Sequence, residues 1–383
     1  MKAILVSYQA PQAVGHGGHR RAYQVRRDLE DALGADNVLV ADNPWGYYAA
    51  PKRRTLAAHA RRTVSSYLEN PLRLMAKTHF SRGFYSLAEF VWYYETLLDS
   101  IRGPAVSIIE HAGFSGLIRP NARRRIPTVA CVQNLAAFDM SDDLRGRWAV
   151  RAKALDFANE YEILARCDDR LFLSRVEAGL IAGLGLSGSL YPYLPVGEIK
   201  ERLVKVREAR SRTTHEQGLF LLLGTVGPAN RRASAGRFLD DARQRGLPGG
   251  ARVVVAGLHT ETLLAPGEWP AGVEGRGWLD EDALDALLAR VTAVLVPRRD
   301  GFGALTRLPE LSCAGVPVLV ARSVTFAQDP PPGAMVVDDE WDAWCAAMES
   351  ISRAGRVVAA GDYEAWETAQ ARPLPGVLKA LAR

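Results

Sequence analysis

The sequence has no apolar run approaching the roughly 20 residues that a membrane-spanning helix needs, and the stretch 1–8 is too short for the core of a signal peptide. The expected address is therefore the cytoplasm. Cysteine is scarce. Cys131, Cys167, Cys313 and Cys345 lie far apart, with no Cys-x-x-Cys pair and no histidine at metal-ligand spacing, which argues for reduced thiols rather than disulfides or zinc. There is no RNP motif, zinc finger or helix-turn-helix pattern, and arginine is dispersed, so nucleic acid is not an expected partner. Neither sign of charge dominates. Forty-eight Lys and Arg against 43 Asp and Glu leave +5, which favours anionic small molecules or anionic lipid surfaces without choosing between them. With 48% hydrophobic and 24% charged residues the composition is that of a soluble globular protein, and 383 residues suffice for two domains with separate cores.

What is present is a repeated alternation of strand and helix patterns. Strands are expected at 2–8, 37–41, 106–109, Thr128–Val132 and 170–174, with a glycine-bearing loop at 9–19 and helices at 20–33 and 148–166. The proline-punctuated segment 191–195 and the charged stretch 198–212 read as the crossing between domains. The pattern restarts with strands Leu219–Leu223, Arg252–Ala256 and Ala293–Val296 and helices near 234–244 and 282–290. The expected class is α/β, two doubly wound parallel-sheet domains covering 1–195 and 196–359, with a terminal helix at about 360–383, including 363–369, returning to the first.

The densest information lies in 277–320. Gly277-Trp278-Leu279 precedes an acidic amphipathic helix. The apolar run 293–297 then leads into Asp300-Gly301-Phe302-Gly303-Ala304-Leu305, Arg307, Glu310 and Ala314-Gly315-Val316-Pro317-Val318. This is strand, glycine turn, short helix, strand. A glycine turn lets the backbone approach a ligand closely, and the helix that follows points free N–H groups at it, which suits a diphosphate. Glu310, about one turn into that helix, is placed to accept hydrogen bonds from sugar or ribose hydroxyls, and Arg307 is a fixed cation for phosphate.

These residues resemble the donor half of the group 1 glycosyltransferases (family 4, GT-B fold), whose signature is acid-Gly-Phe-Gly followed by Glu-Ala-x-Ala-x-Gly-x-Pro-Val. Glu310 to Val318 fits the second part, Asp300 stands in the place of the first acid although nine residues separate it from Glu310 where seven are usual, and Arg307 matches a basic variant three residues before the second acid. The resemblance continues more loosely. Gly17 and Gly18, flanked by His16, His19 and Arg20, sit where the family has a Gly-Gly pair near donor phosphate and acceptor; Glu110-His111 parallels a His-Glu-Pro segment; and Gln133 stands where a histidine usually contacts the donor sugar. Glutamine can hydrogen-bond a hydroxyl but cannot carry a proton, so His111 shares the catalytic assignment with Gln133. Glu160 and Glu162, on the long helix before the strand 170–174, are read as solvated or interdomain residues rather than catalytic ones. Gly224, Asn230, Arg231 and Arg232 follow the first strand of the second half, where the family holds the diphosphate, and Gly277, Trp278 and Leu279 lie where it receives the nucleobase.

The resemblance implies a retaining, metal-independent glycosyltransferase with a nucleotide-diphosphate-sugar as substrate, no cofactor, and a carbohydrate, lipid-linked or natural-product acceptor bound through His16, His19 and Arg20. The sugar products belong to cell-envelope polysaccharide, glycolipid or glycoside synthesis. Basic and aromatic residues in 49–100 suggest peripheral contact with the inner face of a membrane. The alternatives are a non-catalytic protein of the same fold that binds a sugar nucleotide or a partner chain, and a sugar-nucleotide epimerase.

Overall fold

A computed structural model of the chain describes residues 1–7, 9–42, 88–111, 117–139, 147–224, 229–265, 267–298, 303–354, 358 and 360–382. The chain divides into two compact units, one made of Met1–Met140, Leu144–Tyr193 and Ala371–Arg383, the other of Ser141–Asp143 and Leu194–Gln370.

The first unit is a parallel sheet of six strands, β1 (Lys2–Ser7), β2 (Val38–Asp42), β3 (Ala105–Ile109), β4 (Thr128–Val132), β5 (Asp169–Phe172) and β6 (Ser189–Leu190). Their spatial order is β2-β1-β3-β4-β5-β6. The strand sequences are apolar at consecutive positions because both faces of the sheet are covered. Ile4, Val6, Ala130, Val132 and Phe172 pack with Tyr94, Leu98, Ile163 and Leu164 on one side. The alternating residues Ala3, Leu5, Val129, Cys131 and Leu171 pack on the other with Val25 and Leu29 of the helix Gly17–Leu33 and with Leu374, Val377 and Leu378 of the terminal helix Leu374–Leu381.

The second unit repeats the design. Its strands are β7 (Leu219–Leu223), β8 (Arg252–Ala256), β9 (Val273–Gly277), β10 (Ala293–Val296), β11 (Val318–Ala321) and β12 (Ala334–Val337), parallel and ordered β12-β11-β10-β7-β8-β9. Phe220, Leu222, Val253, Val255, Leu295 and Leu319 form a core with Phe238, Trp341, Trp344 and Met348.

Three segments depart from the sequence expectation. The charged stretch 198–212 is no linker but part of a helix, Gly197–Arg212, whose Ile199, Leu203, Val206 and Arg210 fall at helical spacing and are buried in the second unit. Arg210 is held there by the carbonyls of Leu288 and Val291 at the end of the helix Glu281–Arg290. The segment 363–369 does not return to the first unit. Tyr363 is fully buried within the second, Glu367 pairs with Lys200 at 2.6 Å, and only 371–383 belongs to the first. The first helix starts at Gly17 rather than residue 20, because the His16 side chain accepts the Gly18 N–H and caps it.

Candidate functional site

In each sheet the chain leaves a central strand in one direction and later returns to build outward in the other. At such a switch point the two connections diverge and leave a crevice beyond the strand ends. In the second unit the point lies between β7 and β10. A cavity of about 60 Å³ occupies it, lined by Leu222 to Gly224 at the end of β7 and by Leu295 to Arg298 at the end of β10. Leu263 and Leu305 add apolar wall, and Ser234, Thr260, Arg298 and Arg307 supply the polar groups.

Arg307, the first residue of the short helix Arg307–Cys313, donates from Nη1 to the Leu223 carbonyl, and a β-carbon on Gly224 would lie 3.8 Å from that nitrogen. Two residues 83 positions apart in sequence are thus brought side by side by the pairing of β7 with β10. Glu310 lies one turn further along and is almost fully buried. The glycine turn itself is braced. Arg298 Nη1 donates to the Gly303 carbonyl at 3.1 Å, and the Leu305 N–H is accepted by Gln328 Oε1. The Leu305 amide, in the segment that resembles the family's donor motif, thus already has a partner. Ala304 lies half-buried between them, while Asp300, Gly301 and Phe302 fall outside the described residues. Asn230, Arg231 and Arg232 lie in the first turns of the helix Ala229–Arg245, with side chains outside the description.

The ends of β7, β8 and β9 are laced by Gly224 N–H to Ala256 O at 3.0 Å and by Gly257 N–H to Gly277 O at 2.7 Å. Trp278, 66% exposed, projects beyond this edge beside the half-buried Leu279. Asp280-Glu281-Asp282 has an Asp-x-Asp spacing. Asp280 caps the next helix through the Ala283 N–H at 2.8 Å, and Glu281 pairs with Arg202. Among the described residues no group of three His, Cys, Asp or Glu is placed to hold a metal ion.

In the first unit the switch point lies between β1 and β3. The glycine loop after β1 carries His16 and His19, whose rings are 4.5 Å apart. His19 Nδ1 lies 2.8 Å from the Ala10 carbonyl, so that nitrogen carries the proton. Arg20 is half-buried, and Gly17 and Gly18 open the helix. Gln133, just past β4, reaches Gly18: its Nε2 is 3.5 Å from the Gly18 carbonyl, and its backbone N–H donates to Glu110 O at 3.3 Å. Glu110 is fully buried, and burial pushes its carboxyl up to about 7 against the opposing pull of Ser7, Arg21 and Gln133. His111 beside it is pushed down to about 4 by burial and is neutral at pH 7.

Several roles differ from those the sequence suggests. Glu160 is not a solvated residue: it is buried and accepts the Ala137 N–H at 3.2 Å, while Glu177 accepts the Leu135 N–H at 2.7 Å, and together they fix the loop that follows Gln133. Glu162 pairs with Arg166 at the surface. Arg21, on the helix that follows the glycine loop, faces the interior of the first unit. It is buried over the Tyr191 ring at 4.0 Å, donating to the Tyr191 carbonyl at 2.8 Å and to Gln24 Oε1 at 2.6 Å. Sequence reasoning also missed Arg298, Ser234, Thr260 and Gln328. Arg298 adjoins the glycine turn and could have been found, whereas the others are ordinary residues outside any motif. The basic stretch 49–87 lies outside the described residues, and among those described no helix is long and apolar enough to cross a membrane.

No protein-family model and no curated protein matches the sequence. Likeness to solved structures is extensive. Sucrose-phosphate synthase from Thermosynechococcus elongatus superposes with a TM-score of 0.61 at 15% identity, over 95% of this chain and 94% of the other. The Anabaena protein HepE, crystallised with UDP and glucose, gives 0.57 at 11%, again over 95% and 94%. TarM gives 0.52 at 11% over 73% of this chain, which spans about half, 53%, of TarM's length. At such identities the likeness speaks for architecture. The two Rossmann-like units are those of the GT-B fold, as the sequence resemblance leads one to expect.

Proposed function

We propose that this protein is a glycosyltransferase of the group 1 type, moving a sugar from a nucleotide-diphosphate-sugar to an acceptor hydroxyl with retention of anomeric configuration and without a metal ion. The observation that carries the reading is the position of Arg307, its guanidinium beside Gly224 in the cavity at the β7/β10 switch point. The resemblance of 277–320 to the family's donor motif and the UDP held by HepE, a protein of the same fold, support it.

As the bond between sugar and diphosphate breaks, negative charge grows on the leaving oxygen. Arg307 and Arg298 are fixed cations at the cavity wall, and in a partly apolar pocket they stabilise that charge more than they would in water. The acceptor oxygen forms the new bond to the anomeric carbon, and its proton leaves with the diphosphate. Glu310 orients the donor through hydroxyls. Gln133 orients the transferred sugar by hydrogen bonding alone, since an amide exchanges no proton.

Gln133 and the neutral, buried His111 favour one second reading, a GT-B protein that binds a sugar nucleotide without turning it over. Incubation with uridine-, guanosine- and adenosine-diphosphate sugars, scored for binding by calorimetry and for slow donor hydrolysis, separates the two. Binding with release of free sugar is expected. Binding without turnover, with candidate acceptors present, assigns the sensor role, and no binding of any donor removes both readings.

A further inference from the structure

The described limbs of the connection between β10 and the helix Arg307–Cys313, ending at Arg298 and resuming at Gly303, are both met by the segment that follows β11. After β11, which pairs with β10 through Val320 and Val296, the chain makes a 3-10 turn over Arg322–Phe326 and continues to Gln328. Val324 and Ala327 are buried and anchor this segment. Ser323 Oγ donates to the Arg298 carbonyl at 2.6 Å, on the limb where the turn leaves β10. Gln328 reaches the other limb with both ends of its amide: Oε1 accepts the Leu305 N–H, and Nε2 lies 3.3 Å from the Leu305 carbonyl. Arg298 closes the span between the limbs through its bond to the Gly303 carbonyl.

Three backbone groups on both limbs are therefore fixed by two side chains from the neighbouring crossover, with Arg307 two residues beyond the clamped Leu305. A carboxamide offers a donor and an acceptor side by side without carrying charge at neutral pH, as a two-point clamp on the N–H and C=O of one residue requires. From this geometry we propose that Ser323 and Gln328 are positioning residues for the nucleotide-diphosphate site, holding the turn so that the Arg307 guanidinium stays at Gly224. The proposal rests on the reading of the cavity as that site. It also implies that the Arg307 cation, rather than the Leu305 amide, is the contact this limb makes with the diphosphate, because the amide is taken.

The test uses the full chain, with uridine, guanosine and adenosine diphosphates as probes. In Q328L the Leu305 amide loses its acceptor, so its hydrogen exchange in the ligand-free protein should accelerate about tenfold or more, and affinity for the preferred nucleotide should weaken about tenfold. Q328E retains the acceptor but not the donor and should fall between Q328L and wild type, as should S323A, which removes a single bond. With a donor sugar, KM should rise while kcat stays within about twofold. The decisive comparison is the double variant: in an R307A background Q328L should weaken nucleotide binding no further, because its effect passes through Arg307. Wild-type nucleotide affinity in Q328L, or full additivity with R307A, overturns the proposal. Should Q328L not fold, S323A and Q328E carry the same comparison. If the wild-type chain binds no nucleotide, the cavity reading fails and the role in nucleotide binding fails with it; Leu305 exchange then reports separately on the clamp, and unchanged exchange in Q328L refutes the clamp itself.

Discussion

Gly257 and Gly224 cross so closely that a β-carbon on Gly257 would stand 1.6 Å from the Gly224 carbonyl oxygen. Gly257 also has φ of 132°, a region that other residues rarely adopt. This crossing at the ends of β8 and β7 is what leaves Gly224 at the cavity beside Arg307. Gly257→Ala must move backbone, not a side-chain tip, and should cost at least about 4 kcal/mol or prevent folding. Urea unfolding measures it, and a variant as stable as wild type would contradict the crossing.

Arg307 and Glu310 are expected to separate charge recognition from hydroxyl recognition. Arg307→Ala should weaken nucleoside diphosphate binding by about ten- to a hundredfold, with Arg307→Lys recovering part, since a lysine offers a point charge instead of a planar fork. Glu310→Ala should weaken binding of the whole donor sharply while far-UV circular dichroism stays that of the folded chain. Calorimetric titration of each variant checks both, and undiminished affinity in either removes that residue from the site.

Trp278 is exposed at the end of β9, so its loss should leave thermal stability unchanged. If the nucleobase lies on it, Trp278→Ala should weaken nucleoside diphosphates about tenfold while inorganic pyrophosphate binds as before. Equal effects on both probes would place the indole outside base recognition.

Glu110 and His111 should give opposing pH dependences of stability. The Glu110 carboxyl is raised from 4.5 to about 7, so the folded state holds a proton that the unfolded chain has lost; the penalty for ionising it is absent below about pH 4.5 and complete above about 7. His111 is lowered from 6.5 to about 4, so its contribution is intact above 6.5 and is lost as pH falls towards 4. Between roughly pH 4.5 and 6.5 the two slopes largely cancel. Glu110→Gln should therefore leave a melting temperature that rises with pH across that window and should be more stable than wild type at pH 8. His111→Gln should instead show a melting temperature that falls. Melting curves at half-unit pH intervals decide it, and parallel profiles for all three proteins would refute the assignment of these groups.

Much of the architecture is a local property of the chain. Uninterrupted apolar runs such as 3–6 and 293–296, short and bounded by turn residues, read as strands covered on both faces, and their alternation with helical periods points to parallel sheets. The short helix that carries Arg307 and Glu310 is legible for the same reason, because a helix between two strands is set by neighbours in sequence. The helix Gly197–Arg212 reads in the sequence as a crossing because its many charges mask the apolar residues that recur at helical spacing. What the tertiary structure alone decided is partnership over distance. Strand order brings Arg307 to Gly224 and Gln133 to Gly18, buries Arg21 against Tyr191, and sets Gln328 on Leu305. A glutamine that clamps a peptide looks no different in sequence from one facing water. The distinction lies in which backbone groups the crossover carries past it, and that follows from the pairing of β10 with β11, not from residues nearby in the chain.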